Sequence, residues 1–406
     1  MDSYKYLILG AGPAGLTFAN LLMQNGENSF LIIEKEQEAG GLCRSRKVDG
    51  FPLDIGGGHF LDVRRPQVNE FLFKFMPEDE WNLFVRNSKI QLKSTLIDHP
   101  IEANIWQLPI DEQIEYLTSI ATAGCNQGKE KPEKFVDWIM WKLGVKITDE
   151  YMIPYNSKIF SKNLNELGTY WLDKLPNVSF ENTLRSCLEH KAYGEQPGHA
   201  KFYYPKKYGY GELWKRMAER IDNRIVYNTQ VNGIDFNSNI IFTESGDKLK
   251  GKKIVTTIPW EQFEFLNNMP MRLQNKIRDL KHSSVYIKYF DQKMESDAHW
   301  IYYPDKKLDY HRILVRHNFC PNSKGYWTET NAERFNSNDL NTNTFYNEYA
   351  YPLNTIEKPY IMDEVIAFAR KRNVYPLGRW GEHQHYNSDV TVYRAMKLYD
   401  EIADEK

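Results

Sequence analysis

Lys5-Tyr6-Leu7-Ile8-Leu9-Gly10-Ala11-Gly12-Pro13-Ala14-Gly15-Leu16 opens the chain, and the architecture follows from it. A short apolar run stops at glycine, and Leu16, Phe18, Ala19, Leu21 and Leu22 then recur at helical spacing, so the stretch reads as strand, tight turn and helix. Gly10 permits the turn, Gly12 keeps a Cβ out of the path of a pyrophosphate, and Gly15 lets the helix lie close to the strand. Pro13 and Ala14 complete the turn, and the helix start presents its partial positive charge to the phosphates. A second run, Ser29-Phe-Leu-Ile-Ile, ends at Glu34-Lys35, where a carboxylate can accept from ribose hydroxyls. The pattern predicts a dinucleotide site rather than a glycine turn without a ligand.

The next residues choose the dinucleotide. Gly40-Gly41-Leu42-Cys43-Arg44-Ser45 places a second glycine pair and a cation just past the second strand, near enough to approach the same pyrophosphate. Nicotinamide alone does not require this. Phe51-Pro-Leu-Asp54-Ile-Gly56-Gly57-Gly58-His59-Phe60 is a further glycine cluster, read as backbone passing close to a flat isoalloxazine ring, with His59 at its edge. FAD is therefore the expected cofactor. Cys43, although beside Arg44, is expected to be a packed and unreactive thiol.

Composition narrows the class. At 406 residues the chain exceeds a core of roughly 100–200 residues, so two domains, or one nucleotide-binding domain with a large insertion, are expected. Lys and Arg number 52 against 54 Asp and Glu, which removes the electrostatic case for a nucleic-acid or anionic-membrane partner. Mean hydropathy is −0.62, with no unbroken apolar run long enough to span a bilayer. The N-terminus lacks the basic and apolar segments of a signal peptide, and the four cysteines show no CxxC pair, so a reducing cytoplasm is expected. Aromatic residues reach 14%, which suits amphipathic packing or a cleft that stacks flat rings and sugars.

Further along, residues 66–86 and 108–192 carry helical periodicity, for example Ile114, Leu117, Ile120 and Ala121. Arg224–Phe242 and Lys253–Ile258 return to strand character, strands predominate over 283–351, Asn331–Asn343 reads as a solvated loop, and a helix is expected over 361–372. The expected fold is α/β. A discontinuous Rossmann-type FAD domain (1–65, 200–265 and 355–406) carries a mostly helical insertion (66–199) and a mainly antiparallel β substrate region (266–354). Gly378-Arg379-Trp380-Gly381 should bring backbone back to the cofactor. His383 and His385, two apart on an expected strand, lack the partners of a metal site, so no metal is assigned.

The segments IIEKEQEAGGLCRS and FPLDIGGGHF, with the glycine fingerprint, resemble the flavoprotein group containing amine oxidases, protoporphyrinogen oxidase and UDP-galactopyranose mutase. WIMWKLGVKITDEYMIPYNSKIF, KFYYPKKYGYGELWKRM, DYHRILVRHNF and GRWGEHQHYNSDVTVYRAMK occur in the order found in the mutases, so the resemblance spans nearly the whole chain. It implies a reduced flavin whose N5 attacks the anomeric carbon of a nucleotide sugar. Pyranose and furanose forms then interconvert with no net redox change, for surface-glycan synthesis, with NAD(P)H only priming the flavin. The substrate would be a small molecule, and a homo-oligomer is expected.

By the same resemblance, Arg312 would hold the diphosphate, Tyr351 would join it there, Tyr155 and Asn156 would line the cleft, and Val231 would meet the adenine through its backbone. Arg379, Asp389 and Val390 would complete the flavin site, and His59 would touch the flavin. The sequence departs from the mutases in three places. Ile153 stands where a second diphosphate arginine is expected, with Arg316 or Lys158 as substitutes; His385 replaces a tyrosine; Ile101 and Glu102 replace a uracil-holding aromatic and glutamine. These departures motivate an alternative, an amine oxidase-like oxidoreductase passing electrons to oxygen. A flavin-bound scaffold without turnover is a third reading, opposed by the glycines at 56–58.

Overall fold

The computed structural model describes residues 2–172, 177–194 and 200–403. The chain divides into two compact units: Met1–Asn82, Tyr203–His282 and Glu357–Lys406 form one, and Leu83–Phe202 with Ser283–Ile356 forms the other.

The first unit is built on the strand β1 (Ser3–Leu9), the helix α1 (Pro13–Gln24) and the strand β2 (Phe30–Ile33). β1 lies parallel to β2 on one side and to Lys248–Thr256 on the other, with Leu9 opposite Ile33 and Thr256. A parallel strand covered on both faces has no solvent side, so Tyr6 to Leu9 read as an unbroken apolar run and are all buried. Each such side chain contributes roughly 1.5–3 kcal/mol by leaving water. Ile225–Val226 extends the sheet beyond β2, Ile240–Thr243 and Val231–Asp235 extend it antiparallel on the far side, and Val374–Pro376 joins the end of Lys248–Thr256. Leu7, Ile234, Ile254, Trp260, Val365 and Val374 belong to the core of this unit.

The second unit combines helices Ile110–Ala121, Phe135–Ile147, Ile153–Phe160 and Phe180–Glu189 with a seven-stranded sheet. Its strand order is Thr344–Pro352, His282–Phe290, Tyr326–Asn331, Arg312–Val315, Trp300–Tyr302, Ser88–Leu92 and Thr95–Asp98. The expectation of a helical insertion separate from a β region fails for a definite reason. Ser88–Leu92 lies before the helices in sequence, yet it pairs parallel with Trp300–Tyr302 and ties the two segments into one unit.

Other local expectations are also corrected. Only Pro66–Phe73 of 66–86 is a longer helix, and Trp81–Val85 is a strand. On Ile110–Ala121, Tyr116 and Ile120 face inward while Ile114 is 57% exposed, so the buried stripe is rotated from the one expected. The helix expected over 361–372 runs Lys358–Arg370. His383 and His385 lie in the turn between Gly378–Gly381 and Ser388–Ile402 and not on a strand. Among the described residues no helix is long and apolar enough to cross a membrane.

Candidate active site

In the first unit the glycine turn is as tight as its sequence requires. Gly10 has φ +99°, and a Cβ on Gly15 would lie 2.1 Å from the Gly10 carbonyl oxygen, so helix and turn touch through backbone. Gly12 caps α1 without a side-chain hydrogen bond and Pro13 follows at its start, leaving the helix end uncapped for an anion. A Cβ on Gly41, which has φ +54°, would come within 3.3 Å of the Gly12 Cα, so the two glycines form one narrow cradle. Gly378, expected to return to the cofactor, does approach this turn: its Cβ would stand 2.8 Å from that of Ala14.

Glu34 is 7% exposed and accepts from the Ala11 N–H at 2.6 Å and the Glu36 N–H at 3.0 Å. Burial pushes its pKa up despite those two bonds. A carboxylate has about four acceptor sites, so ribose hydroxyls can share it. Arg44 donates from Nε to the Gly41 carbonyl at 2.9 Å and from Nη1 to Glu36 at 3.1 Å, which fixes its guanidinium beside the cradle. Lys35 is exposed. Thr229 donates to the Glu34 carbonyl at 2.9 Å, drawing the approach to Val231 alongside; the Val231 side chain is buried in the core and its backbone lies opposite Thr243 in the sheet.

The second glycine cluster needs partial rereading. A Cβ on Gly56 would sit 1.9 Å from the Leu42 carbonyl oxygen, so this glycine serves packing between two protein segments rather than a flat ligand. Gly57 has φ +98°, and the His59 Nδ1 lies 3.1 Å from its carbonyl, a contact that fixes the ring orientation. Gly58 adjoins them, half-buried.

Beneath His59 is a polar hub that sequence reasoning missed. Asp54, fully buried, accepts from Ser45 Oγ at 2.5 Å, the Tyr204 hydroxyl at 2.9 Å and the Tyr210 N–H at 3.1 Å. Tyr210 stacks parallel to His59 at 6.4 Å between centroids and hydrogen-bonds Ser388 Oγ at 2.6 Å. The tyrosines of KFYYPKKYGYGEL were the available signal.

Arg379 donates to the Tyr386 carbonyl at 2.8 and 3.1 Å. Asp389, fully buried in the first turn of Ser388–Ile402 with Val390 next to it, pairs with Arg65 through Oδ2, while Oδ1 is buried without a hydrogen bond. The uncapped helix, the glycine cradle and this open acceptor fit a dinucleotide. Cys43 is buried and its thiol is pushed up to about 12 by that burial. Native protein treated with iodoacetamide at pH 8 should therefore be labelled at the half-buried Cys125 and spared at Cys43, as peptide mapping would report.

In the second unit, Arg312, Tyr155 and Tyr351 do come together. Arg312 lies opposite Tyr302 on one neighbouring strand and Glu329 on the other. Its side chain is 19% exposed, and it binds one oxygen of Glu329 through Nε at 2.9 Å and through Nη2. Burial opposes the charge, but Glu329 and the nearby Tyr351, Tyr155 and Tyr302 outweigh it and keep the guanidinium charged. Tyr155 stacks on Tyr151 at 5.6 Å and meets Tyr302 edge-on at 5.3 Å; burial holds both Tyr151 and Tyr155 in the phenol form. Asn156 donates to the Met152 carbonyl at 2.8 Å.

The three departures resolve differently. Ile153 packs against the apolar core of the unit and carries no polar role. Neither expected substitute joins the Arg312 cluster as a free cation. Lys158 is buried with its ammonium on the carbonyls of Tyr303 at 2.7 Å and Asp305 at 2.9 Å, and burial lowers its pKa to about 8. Arg316, also buried, lies over the Tyr289 ring at 5.0 Å. Ile101 is core, while the buried Glu102 is pushed by desolvation toward the neutral acid. His385 belongs to the first unit, half-buried. Among the described residues no group of three or more His, Cys, Asp and Glu is arranged to hold a metal.

Residues 8–75 match the NAD(P)-binding Rossmann-like domain. The structure is similar to that of reduced UDP-galactopyranose mutase, with a TM-score of 0.89 and 20% identity over 99% of this chain and 94% of that one. The fold is thus that of the flavoprotein group to which UDP-galactopyranose mutase belongs. Part of the chain is 42% identical over 107 residues to an uncharacterized protein in the nifH2 3' region of Methanothermococcus thermolithotrophicus, covering 25% of this chain and 97% of that one. The chain belongs to that protein's family. It is also 27% identical over 97 residues to the UDP-galactopyranose mutase of Mycoplasma pneumoniae, 23% of either chain. Two further curated relatives are matched over only 11% and 15% of their lengths.

Proposed function

We propose that this protein is an FAD-dependent nucleotide-sugar mutase that interconverts pyranose and furanose rings. The observation that carries the reading is Arg312, charged and four-fifths buried among Tyr155, Tyr302 and Tyr351, in a chain with the mutase fold. Gly10, Gly12, Pro13, Ala14, Gly15, Gly41, Leu42 and Arg44 would hold the FAD pyrophosphate, with Glu34 and Lys35 at the ribose and the Val231 backbone at the adenine. Gly57, Gly58, His59, Gly378, Arg379, Asp389 and Val390 would surround the rest. When bound and reduced, FAD supplies a nucleophilic N5 for the anomeric carbon.

The protein's share is electrostatic. As the anomeric C–O bond breaks, negative charge grows on the departing diphosphate, and Arg312 stabilises it in a site with little water. The hydroxyls of Tyr351 and of Tyr155, the latter held as a phenol by burial, donate to the same group, Asn156 offers its amide oxygen to the sugar, and His385 supplies a donor in place of a tyrosine. The diphosphate oxygen would then rebond to the same anomeric carbon after that carbon has exchanged its pyranose ring oxygen for the furanose one, so two C–O bonds break, two form and no redox equivalent is consumed; NAD(P)H would serve only to reduce FAD beforehand. A cytoplasmic enzyme feeding surface-glycan synthesis fits this chemistry.

The test is anaerobic. Dithionite-reduced protein is offered a panel of nucleotide sugars, and the products are separated and identified by NMR. Furanose from any member, absent with oxidised protein, supports the mutase. No product from any member, together with flavin bleaching by an amine and peroxide release in air, would replace it with the oxidoreductase reading.

A further inference from the structure

The electrostatics of the second unit leave a cation that the reading above does not use. Arg86, half-buried two residues before Ser88–Leu92, donates from Nε to Ser88 Oγ at 2.9 Å and from Nη2 to the Tyr302 hydroxyl at 3.2 Å. Its Nη2 also lies 3.4 Å from His99 Nδ1, and its guanidinium covers the Trp300 ring at 4.9 Å. Among the described residues no carboxylate pairs with it, and no group meets Nη1 within hydrogen-bond distance. Arg312 differs in this respect, since Glu329 already balances its charge. His311, His99 and Glu102 do not change the balance, because burial favours the neutral form of each. Lys158 holds two carbonyls and lies near Asp305 and Asp309.

A guanidinium drawn out of water is retained where an anion completes it, because isolated charge in a partly desolvated site is costly. Tyr302 connects the two arginines: its hydroxyl receives Arg86, and its backbone is paired with Arg312. We propose that Arg86 is a substrate-binding residue that supplies the uncompensated positive charge for a diphosphate held beside Arg312. The Ser88 and Tyr302 bonds orient the fork, the Trp300 ring supports its face, and Nη1 remains for a phosphate oxygen. This rests on the proposed nucleotide-sugar function, because it assigns the anionic end of that substrate.

The test uses the full chain with bound flavin and two probes, UDP and inorganic pyrophosphate, titrated calorimetrically at several NaCl concentrations. Arg86→Met should weaken both probes by at least about tenfold and flatten the salt dependence, with flavin content and Tm unchanged. Arg86→Lys should fall between, keeping the charge without the fork. The salt dependence is the readout that a merely structural role would not move. Should Arg86→Met fail to fold, Arg86→Lys decides alone: wild-type affinity for both probes overturns the role of the guanidinium fork. Unchanged binding and salt slope in Arg86→Met overturn the inference while leaving the proposed function standing. Wild-type protein that binds neither probe overturns both.

Discussion

Gly12→Val is expected to give a folded protein that purifies without FAD. A Cβ at Gly12 would meet only the Gly41 Cα, at 4.0 Å, so the protein itself tolerates the substitution; its φ of −79° suits any residue. What the valine fills is the space in front of the uncapped start of α1, where a pyrophosphate would lie. Losing that approach removes the helix-end hydrogen bonds together, and the affinity loss should exceed about 10²-fold. Absorbance at 450 nm in the purified protein checks flavin content, and far-UV circular dichroism checks the fold. Gly15→Val is the contrasting case: its Cβ would clash with the Gly10 carbonyl at 2.1 Å, and this variant should lose the fold. If Gly12→Val retained stoichiometric FAD, the cradle would have been assigned to the wrong ligand.

Arg312→Ala should lower kcat/KM on the nucleotide sugar by about 10²-fold or more, the scale of removing a charge stabiliser from a water-poor site. A second effect has to be separated from it. Glu329 is 1% exposed, and without Arg312 its buried carboxylate loses the guanidinium and keeps His311 beside it at 3.5 Å, a loss that costs about 3–5 kcal/mol in comparable pairs. Arg312→Ala with Glu329→Gln removes both charges, so stability should largely return while the rate stays low. Recovery of rate along with stability would show that Arg312 acts through folding and not on the substrate. An unchanged rate in Arg312→Ala alone would remove it from the site.

The two predictions differ in how far each was readable beforehand. Gly12 lies in the twelve-residue run Lys5–Leu16, where strand, turn, helix and ligand approach are all set locally, so spacing alone identifies it. Gly56 stands in an equally visible glycine cluster, but the reason for it is not local, because the Leu42 carbonyl that excludes a Cβ there belongs to a separate turn. Arg312 was found only through resemblance to a family, and its pairing with Glu329 required the register of two strands seventeen residues apart. Arg86 carried no signal at all. In sequence it is one more charged residue before a strand, and its meaning comes from Tyr302, Trp300 and His99.

The sequence by itself therefore determined a glycine-lined dinucleotide turn between two buried strands, since that element is contiguous and its backbone conformation is restricted to glycine at particular positions. Only the tertiary structure decided that the helical and β segments form one unit, and which cations of that unit are already balanced. Strand pairing and charge compensation are set by partners as far apart as Arg86 and Tyr302, 216 positions, and local pattern carries no information about such partners.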